Sequence, residues 1–221
     1  MKKKQDVVIG IFCPTYKRPT KLQAVVENLK ATTKNKYNLY FGMEADDQPS
    51  IDAALQTGAS VVINKYGPES GYPNTIQTIY EQSHEPFFIH INDDFEFLKD
   101  WDEIPVSMFE TPSVMVVGMR QHEGDTHGSA ISMIRRKYIE EQSGVVDMPN
   151  QVFYPYPHHY CDTEFTRTAQ GRGVWAKCDK LVILHHHYGF TGEQRDETYI
   201  KNDDTSEKAR LIFESRQHLF G

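Results

Sequence analysis

The sequence predicts an α/β fold with a mainly parallel central sheet and helices on both of its faces. In the first hundred residues, short apolar runs rich in β-branched and aromatic residues alternate with segments whose apolar residues recur at helical spacing. The strand-like runs and the helix-like segments follow one another in the order of a crossover-connected parallel sheet. The strands are predicted over 7–12, 37–43, 59–63 and 87–91, and the helices over 19–32, 51–55 and 75–82.

Each of these helices has a local reason to form. The segment 19–32 places Leu22, Val25 and Leu29 on one face, and Gly58 is suited to end the second helix. Beyond residue 100 the pattern loosens, and residues 151–160 form an aromatic loop broken by prolines, whose rings we expect to pack rather than to stack on a ligand. Helices are predicted over 101–109, 135–141, 162–170 and 206–216, and strands over 113–119, 129–134, 174–177 and 181–184.

The composition is that of a globular protein. The chain of 221 residues is 38% hydrophobic and 25% charged, and no stretch approaches the ~20 apolar residues of a membrane-spanning helix. Three widely separated cysteines without a Cys-x-x-Cys pair favour free thiols in a reducing compartment, so we expect a cytoplasmic protein. The net charge of −7 disfavours a dedicated polyanion binder, and the two basic clusters, 135–137 and Arg167/Arg172/Lys177, are interpreted as solvated faces.

The segment Asn92-Asp93-Asp94 follows the fourth predicted strand directly. In open α/β sheets, ligands bind outside the carboxyl ends of the strands. Adjacent carboxylates at such a place suit Mg²⁺ or Mn²⁺ carrying a phosphorylated substrate. The alternative is a polar loop that merely ends the strand.

Two further polar segments follow the first and second strands. Pro14-Thr15-Tyr16-Lys17-Arg18-Pro19 can direct backbone N–H groups and an arginine at a phosphate or a base, although the prolines alone could simply start a helix. Glu44-Ala45-Asp46-Asp47 can accept hydrogen bonds from a base or ribose, whereas Asp47 could instead cap the helix that begins near Pro49.

The second half of the chain adds Asp162-Thr163-Glu164 and the triplet His185-His186-His187. The triplet ends an apolar strand, and the alternation of side chains along a strand puts His185 and His187 on one face and His186 on the other. Either set could supply a ligand to a divalent ion such as Mn²⁺. The alternative is a group of surface histidines.

Taken in order, these segments resemble the family 2 glycosyltransferases with the GT-A fold. Residues 14–19 resemble the opening motif of that family, and 92–94 its Asp-x-Asp motif with Asn92 in the first position. Asp162-Thr163-Glu164-Phe165, with Arg167 and Gly171, resembles the segment that carries the general base, with Cys161 in place of a glutamate. The late histidines resemble a metal ligand, and Asn64-Lys65 with Gly71 and Asn74 resembles the segment before the metal motif.

The resemblance implies a single-domain, metal-dependent glycosyltransferase that moves a hexose or pentose from a nucleotide-diphosphate sugar, a UDP-sugar first of all, to an acceptor hydroxyl with inversion. Asp162 would be the general base, and Asp94 with His185 and His187 would hold Mn²⁺ or Mg²⁺. Residues 1–100 would bind the donor, 101–190 would bind the acceptor and carry the catalysis, and 191–221 would be a tail or lid. The donor-binding residues would be Pro14, Thr15, Tyr16, Arg18, Glu44, Asp46, Asn74 and Asp93.

Other functions stay open at this point. A nucleotidyltransferase also uses paired carboxylates and a metal, but it would carry a glycine-rich phosphate loop, and residues 10–19 contain one glycine. The substitutions at Asn92 and Cys161 keep open an inactive module that only binds nucleotide sugars. The acceptor could be a glycan, a small molecule or, as in phage enzymes, a modified base in DNA, which the acidic net charge disfavours.

Overall fold

Strands and helices alternate through most of the chain, of which the computed structural model describes residues 7–67, 71–128, 130–191 and 196–220. The elements are, in order, β1 (Val8–Pro14), α1 (Leu22–Thr32), β2 (Lys36–Met43), α2 (Gln48–Thr57), β3 (Ser60–Ile63), α3 (Gly71–Gln82), β4 (Phe87–His90), β5 (Phe95–Phe97), α4 (Glu103–Met108), β6 (Val116–Arg120), β7 (Ile131–Arg135), α5 (Arg136–Gln142), α6 (Cys161–Gly171), β8 (Trp175–Leu181), β9 (Ile183–His185), α7 (Tyr188–Thr191), α8 (Glu197–Asp204) and α9 (Ser206–Phe220).

The central sheet has the strand order β3-β2-β1-β4-β7-β6-β8. Strand β1 pairs in parallel with both β2 and β4, and β2 pairs in parallel with β3. Strand β7 is antiparallel to both of its neighbours, while β8 is parallel to β6. The mainly parallel sheet is therefore confirmed. Because β4 pairs with β7, both halves of the chain share one sheet and form one domain.

The hydrophobic core lies on both faces of this sheet. Along β1, Ile9, Ile11 and Cys13 belong to a core that includes α1 and α2, whereas Phe12 belongs to a second core with α3, α5, α6 and α9. Alternate residues of a strand point to opposite faces, so a strand covered by helices on both sides is apolar throughout. The predicted placement of helices on both faces is confirmed.

The strand order changes direction between β1 and β4. After β1 the chain builds β2 and β3 on one side, and then crosses to the other side to form β4. Such a switch point leaves a crevice outside the carboxyl ends of the two strands, where ligands bind in open α/β sheets. The loop after Pro14 and the segment after His90 both lie at this crevice.

A second, two-stranded sheet pairs β5 with β9 in antiparallel register. Phe95 lies opposite His185, and the backbone N–H of His186 donates to the carbonyl of Asp94 at 2.9 Å. The pairing therefore brings the late histidines beside the acidic segment, although about ninety residues separate them in sequence.

Some details differ from the sequence-based prediction. The segments 174–177 and 181–184 are not two short strands around residues 178–180, because β8 runs through Cys178 and pairs with β6 with a register shift near Arg120. Strand β5 and helices α7 and α8 were not predicted. The start of the strand predicted over 129–134 and part of the tail over 191–221 lie outside the described residues. The three cysteines are buried free thiols, and no described helix is long and apolar enough to cross a membrane.

Candidate active site

A cavity of about 170 Å³ opens at the switch point between β1 and β4. Its floor comes from the segments that follow three parallel strands, and its cover comes from α8. The predicted site residues that line it are Pro14, Thr15, Tyr16, Arg18, Glu44, Asp93, Asp94 and His187. The crevice that the strand order requires therefore gathers most of the residues predicted to bind the donor.

Arg18 is buried at the centre of this cavity. Its Nη1 donates to Asp93 Oδ1 at 2.7 Å, and its Nε and Nη2 donate to the two carboxylate oxygens of Asp196 at 2.7 and 3.0 Å. The second oxygen of Asp93 accepts a hydrogen bond from Thr15 Oγ1 at 2.6 Å. Both oxygens of Asp93 are thus engaged, one by Arg18 and the other by Thr15.

Asp94 and His185 are in direct contact, and both side chains are largely shielded from solvent. Asp94 Oδ1 lies 3.2 Å from His185 Nε2, and the two side chains are 2% and 10% exposed. Among the described residues this Oδ1 has no hydrogen-bond partner, while Oδ2 accepts from the hydroxyl of Tyr199. Burial opposes ionisation of Asp94, yet His185 and Tyr199 together lower the pKa of its carboxyl below the ordinary value.

The two ring nitrogens of His185 have different neighbours. Nδ1 lies 2.7 Å from Gln121 Oε1 and Nε2 lies 3.2 Å from Asp94 Oδ1, so the tautomer with its proton on Nδ1 would leave the Nε2 lone pair for an ion at Asp94. Metal-bound histidines show this pattern, in which the second ring nitrogen donates to a polar partner. The described residues hold no group of three or more His, Cys, Asp or Glu side chains arranged around one metal position. A bound ion would therefore take its remaining ligands from a diphosphate or water, as Mg²⁺ commonly does.

The three consecutive histidines separate as the alternation predicts. His186 is exposed and pairs with Glu96 at 2.9 Å, whereas the rings of His185 and His187 lie 5.2 Å apart on the cavity side. His187 also contacts the ring of Tyr199, with centroids 4.9 Å apart. The structure thus brings His185 and His187 to the acidic segment and leaves His186 on the surface.

Asp162 lies in a second cavity of about 220 Å³ that adjoins the first. The two cavities share Tyr72, Asn92, His158 and His159 in their walls. At the start of α6, Asp162 Oδ1 accepts the backbone N–H of Thr163 at 2.8 Å, but burial outweighs this bond and raises the pKa of the carboxyl. A buried carboxylate with a raised pKa is suited to accept a proton near neutral pH.

Helix α8 closes the first cavity from above. Thr198 Oγ1 donates to the carbonyl of Tyr16 at 2.9 Å, and Lys17 Nζ lies 3.3 Å from Glu197. The ring of Tyr199 also stacks over the guanidinium of Arg18 at 4.4 Å. These contacts fix residues 196–205 against the loop after β1.

Two of the predicted donor-binding residues do not reach a cavity. Asp46 is exposed, and Asn74 on α3 is not among the described residues that line either cavity. The alternative interpretation of the 44–47 segment is confirmed for Asp47, which caps α2 through the N–H of Ser50. Glu44, by contrast, is buried in the first cavity, where Asn64 Nδ2 donates to it at 2.9 Å.

Three arginines of the two basic clusters bind internal groups, so the interpretation of these clusters as solvated faces is wrong for Arg135, Arg136 and Arg172. Arg135 donates to the backbone carbonyls of Val114 and Phe109, and Arg136 donates to those of Glu85 and Tyr80. Arg172 likewise donates to the carbonyl of Ser143 and the hydroxyl of Tyr138. Guanidinium groups that satisfy internal carbonyls have fewer N–H groups left for nucleic-acid phosphates.

Several site residues could not be found by sequence reasoning. Asp196 and Tyr199 lie in a polar tail without apolar periodicity, and His158 and His159 lie in the loop whose aromatic rings suggested packing alone. Tyr72 follows Gly71, which the resemblance includes in the segment before the metal motif, but the resemblance does not include Tyr72 itself. A weak signal existed in the adjacent pair of histidines before an acidic helix start, since such clusters often mark sites.

The fold has solved counterparts. Glucosyl-3-phosphoglycerate synthase from Mycobacterium tuberculosis, in complex with Mn²⁺, uridine diphosphate and phosphoglyceric acid, superposes with a TM-score of 0.70 at 11% identity, covering 95% of this chain and 78% of that one. The same enzyme with Mn²⁺, uridine diphosphate and glucosyl-3-phosphoglycerate gives 0.67 at 10% identity, with 93% and 79% covered. A mannosyltransferase from Pyrobaculum calidifontis in complex with GDP-Man and Mn²⁺ gives 0.62 at 10% identity, with 95% and 75% covered.

The chain has the GT-A fold of these glycosyltransferases. The predicted fold class is thus confirmed, and the resemblance noted in the sequence is supported at the level of the fold. By sequence, no family model and no curated protein matches the chain. At 10 to 11% identity, the structural likeness speaks for the fold alone, so the reaction has to be argued from the residues of the site.

Proposed function

We propose that the protein is a metal-dependent glycosyltransferase that moves a sugar from a nucleotide-diphosphate sugar to an acceptor hydroxyl. One observation carries the proposal: on a GT-A fold, a cavity lined by Arg18 and Asp94 adjoins a second cavity lined by Asp162 and His185, and His185 reaches Asp94 at 3.2 Å between them. A transferase needs these two places side by side, one for the donor and one for the attacking hydroxyl.

The donor would bind in the first cavity. Arg18 offers a planar, permanently charged group suited to a phosphate, and Glu44 offers a buried acceptor for a base or ribose. Tyr16 and Thr15 line the same wall. The solved counterparts with uridine diphosphate or GDP-Man make uridine and guanosine nucleotides the first donors to test, with a UDP-sugar as our first candidate.

The residues present fit a divalent ion at Asp94 and His185. The fit rests on the buried carboxylate oxygen Asp94 Oδ1 and on His185 Nε2, which lies 3.2 Å from it, because a carboxylate oxygen and an imidazole nitrogen are both suitable ligands for such an ion. His187 lies close enough to assist. When bound, Mn²⁺ or Mg²⁺ would act as a Lewis acid on the diphosphate oxygens. Asp93 would contribute indirectly, because it holds Arg18 beside that position.

Asp162 would take the proton from the acceptor hydroxyl. Its raised pKa increases its basicity, and Thr163 N–H fixes one carboxylate oxygen while the other remains for the acceptor. Because Asp162 lies in the neighbouring cavity rather than beside Arg18, the hydroxyl would attack the sugar from the side opposite the diphosphate. Direct attack from that side inverts the anomeric centre.

Residues 196–205 would act as the lid of the donor cavity. In the structure, Asp196 pairs with Arg18 and the hydroxyl of Tyr199 donates to Asp94. Arg18 and Asp94 are the same two groups that a donor diphosphate and its ion would engage. Donor binding would release these two contacts. The division of the chain follows: 1–100 supplies most of the donor site, 101–190 supplies Asp162 and the late histidines, and 191–221 supplies the lid.

A screen of sugar nucleotides tests the proposal. We expect one nucleotide-diphosphate sugar to raise the melting temperature in the presence of Mn²⁺ but not with a chelator, since a ligand stabilises the state it binds. We further expect slow release of nucleoside diphosphate from that donor. Stabilisation without release, even with acceptors supplied, would indicate an inactive binding module. Release of pyrophosphate from a nucleoside triphosphate would indicate a nucleotidyltransferase.

A further inference from the structure

The hydroxyl of Tyr72 lies where the two cavities meet. Tyr72, in the first turn of α3, lines both cavities and makes a hydrogen bond of 2.9 Å to Nδ1 of His90. Its ring packs edge-on against the rings of His90 and His158, at centroid distances of 6.2 and 6.0 Å. The side chain is thus held in one place by its ring contacts and by the hydrogen bond of its hydroxyl, in the wall that the two cavities share.

The tautomer of His90 decides what this hydroxyl can do. The backbone N–H of Ser132 donates to His90 Nε2 at 3.3 Å, so Nε2 is an acceptor. Burial lowers the pKa of His90 to about 3, so the ring is neutral and carries its one proton on Nδ1. Nδ1–H therefore donates to the oxygen of Tyr72. Having accepted this bond, Tyr72 has its own proton available for an acceptor in the cavity.

The described wall of the second cavity contains an acidic residue but no lysine or arginine. Burial holds His158 neutral as well, lowering its pKa to about 4, and His159 lies 4.0 Å from the carboxylate of Asp203. The partly buried Asp162 is the acidic group among the described residues of this wall. A phosphate or carboxylate placed there would face Asp162 without a lysine or arginine from the described part of the wall, which is costly in a low-dielectric site.

We propose that the second cavity takes an uncharged, hydroxyl-rich acceptor, a sugar or polyol unit, and that Tyr72 donates its O–H to an acceptor oxygen next to the one that Asp162 deprotonates. His90 is a positioning residue that keeps Tyr72 a donor. This inference rests on the proposed function and deepens it. It also sets the chain apart from the solved counterpart that binds phosphoglyceric acid.

The test compares acceptors and variants with one donor. Wild-type protein with Mn²⁺ and the donor found above is offered monosaccharides, methyl glycosides and polyols, together with the matching sugar phosphates and phosphoglycerate. We expect transfer to neutral members in preference to their phosphorylated counterparts. In Tyr72→Phe we expect the KM for the preferred acceptor to rise about tenfold, the loss of one hydrogen bond in a buried site.

A matched variant controls for the loss of a tyrosine hydroxyl. Tyr40→Phe removes a hydroxyl that donates to Glu85 Oε1 at 2.7 Å, outside the described lining of both cavities, and it should leave acceptor KM unchanged. The proposal is overturned if phosphorylated acceptors are preferred, if no neutral member is used while the donor is hydrolysed, or if Tyr72→Phe leaves acceptor KM at the wild-type value. Failure of the wild type to bind or hydrolyse any donor would instead overturn the proposed function.

Discussion

Replacement of Asp162 by asparagine separates catalysis from binding and from folding. The variant keeps the shape of the side chain, and its amide oxygen can still accept the N–H of Thr163, a bond of 2.8 Å in the native protein. It cannot take a proton from an acceptor. A positioned general base contributes about 10²- to 10⁴-fold in rate, so we expect kcat to fall by that factor. The proposed donor site is the other cavity, so we expect the Kd of the donor to be unchanged.

The same substitution has a predicted sign for stability. Burial raises the pKa of Asp162 in the folded protein, so the folded state holds this proton more tightly than the unfolded chain does. Ionisation of Asp162 therefore costs folding free energy. This cost is absent below the ordinary carboxyl pKa, grows as pH rises to the raised value, and stays constant above it. We expect Asp162→Asn to unfold at higher denaturant concentration than wild type at pH 8, with a smaller difference near pH 4.

Three measurements on purified protein test these effects of Asp162→Asn on catalysis, donor binding and stability. They are nucleoside diphosphate release, donor titration by calorimetry, and urea unfolding at several pH values. A variant of the exposed Asp46, Asp46→Asn, is the matched control and should change none of them. Full transfer activity in Asp162→Asn would refute its role as the base. A variant that loses stability at pH 8 would refute the inference that burial of this carboxylate is unfavourable.

Three further predictions concern the donor cavity. Asp196→Asn keeps a good N-cap for α8 but removes the negative charge that pairs with Arg18. Because Asp196 is 40% exposed, we expect the nucleotide Kd to fall by only about two- to fivefold, in calorimetry at low salt. Gly71→Ala should lower the free energy of unfolding by about 2 kcal/mol in urea titrations, since φ is +70° and the new Cβ would lie 2.1 Å from a carbonyl oxygen of the facing loop. Glu44→Gln should weaken nucleotide binding about tenfold, whereas Asp46→Asn should not, when both are titrated alike.

The fold could be predicted largely from the first hundred residues. There, strands buried on both faces give continuous apolar runs, and amphipathic helices give a clear three-and-four spacing. The positions of Arg18, Glu44 and Asp94 at one edge followed from the same pattern, because carboxyl ends of parallel strands meet at one edge of a sheet. Apolar runs and helical spacing were therefore enough to predict the strands and helices of the first hundred residues.

The rest depended on contacts between distant segments. Strand β5 has only three residues and forms through its pairing with β9. Three residues are too few to show the alternation of apolar and polar side chains that predicts a strand. The cover of the donor cavity by α8 rests on Arg18 meeting Asp196 and on Tyr199 meeting Asp94, pairs more than one hundred residues apart. Asp46 is predicted to bind the donor because it follows the second strand. In the structure it lies in the turn before α2, and its side chain is exposed.

The measurement that tests the central claim most directly is the titration of nucleoside diphosphate into wild-type protein and Asp94→Asn, each with Mn²⁺ and with a chelator. Asp94 Oδ1 is the buried oxygen that suits a divalent ion, so we expect wild-type affinity to depend on Mn²⁺ and the variant to bind at least about tenfold more weakly with Mn²⁺ present. With the chelator, the two proteins should bind alike. Equal affinities in all four titrations would contradict a metal-assisted diphosphate site at Asp94.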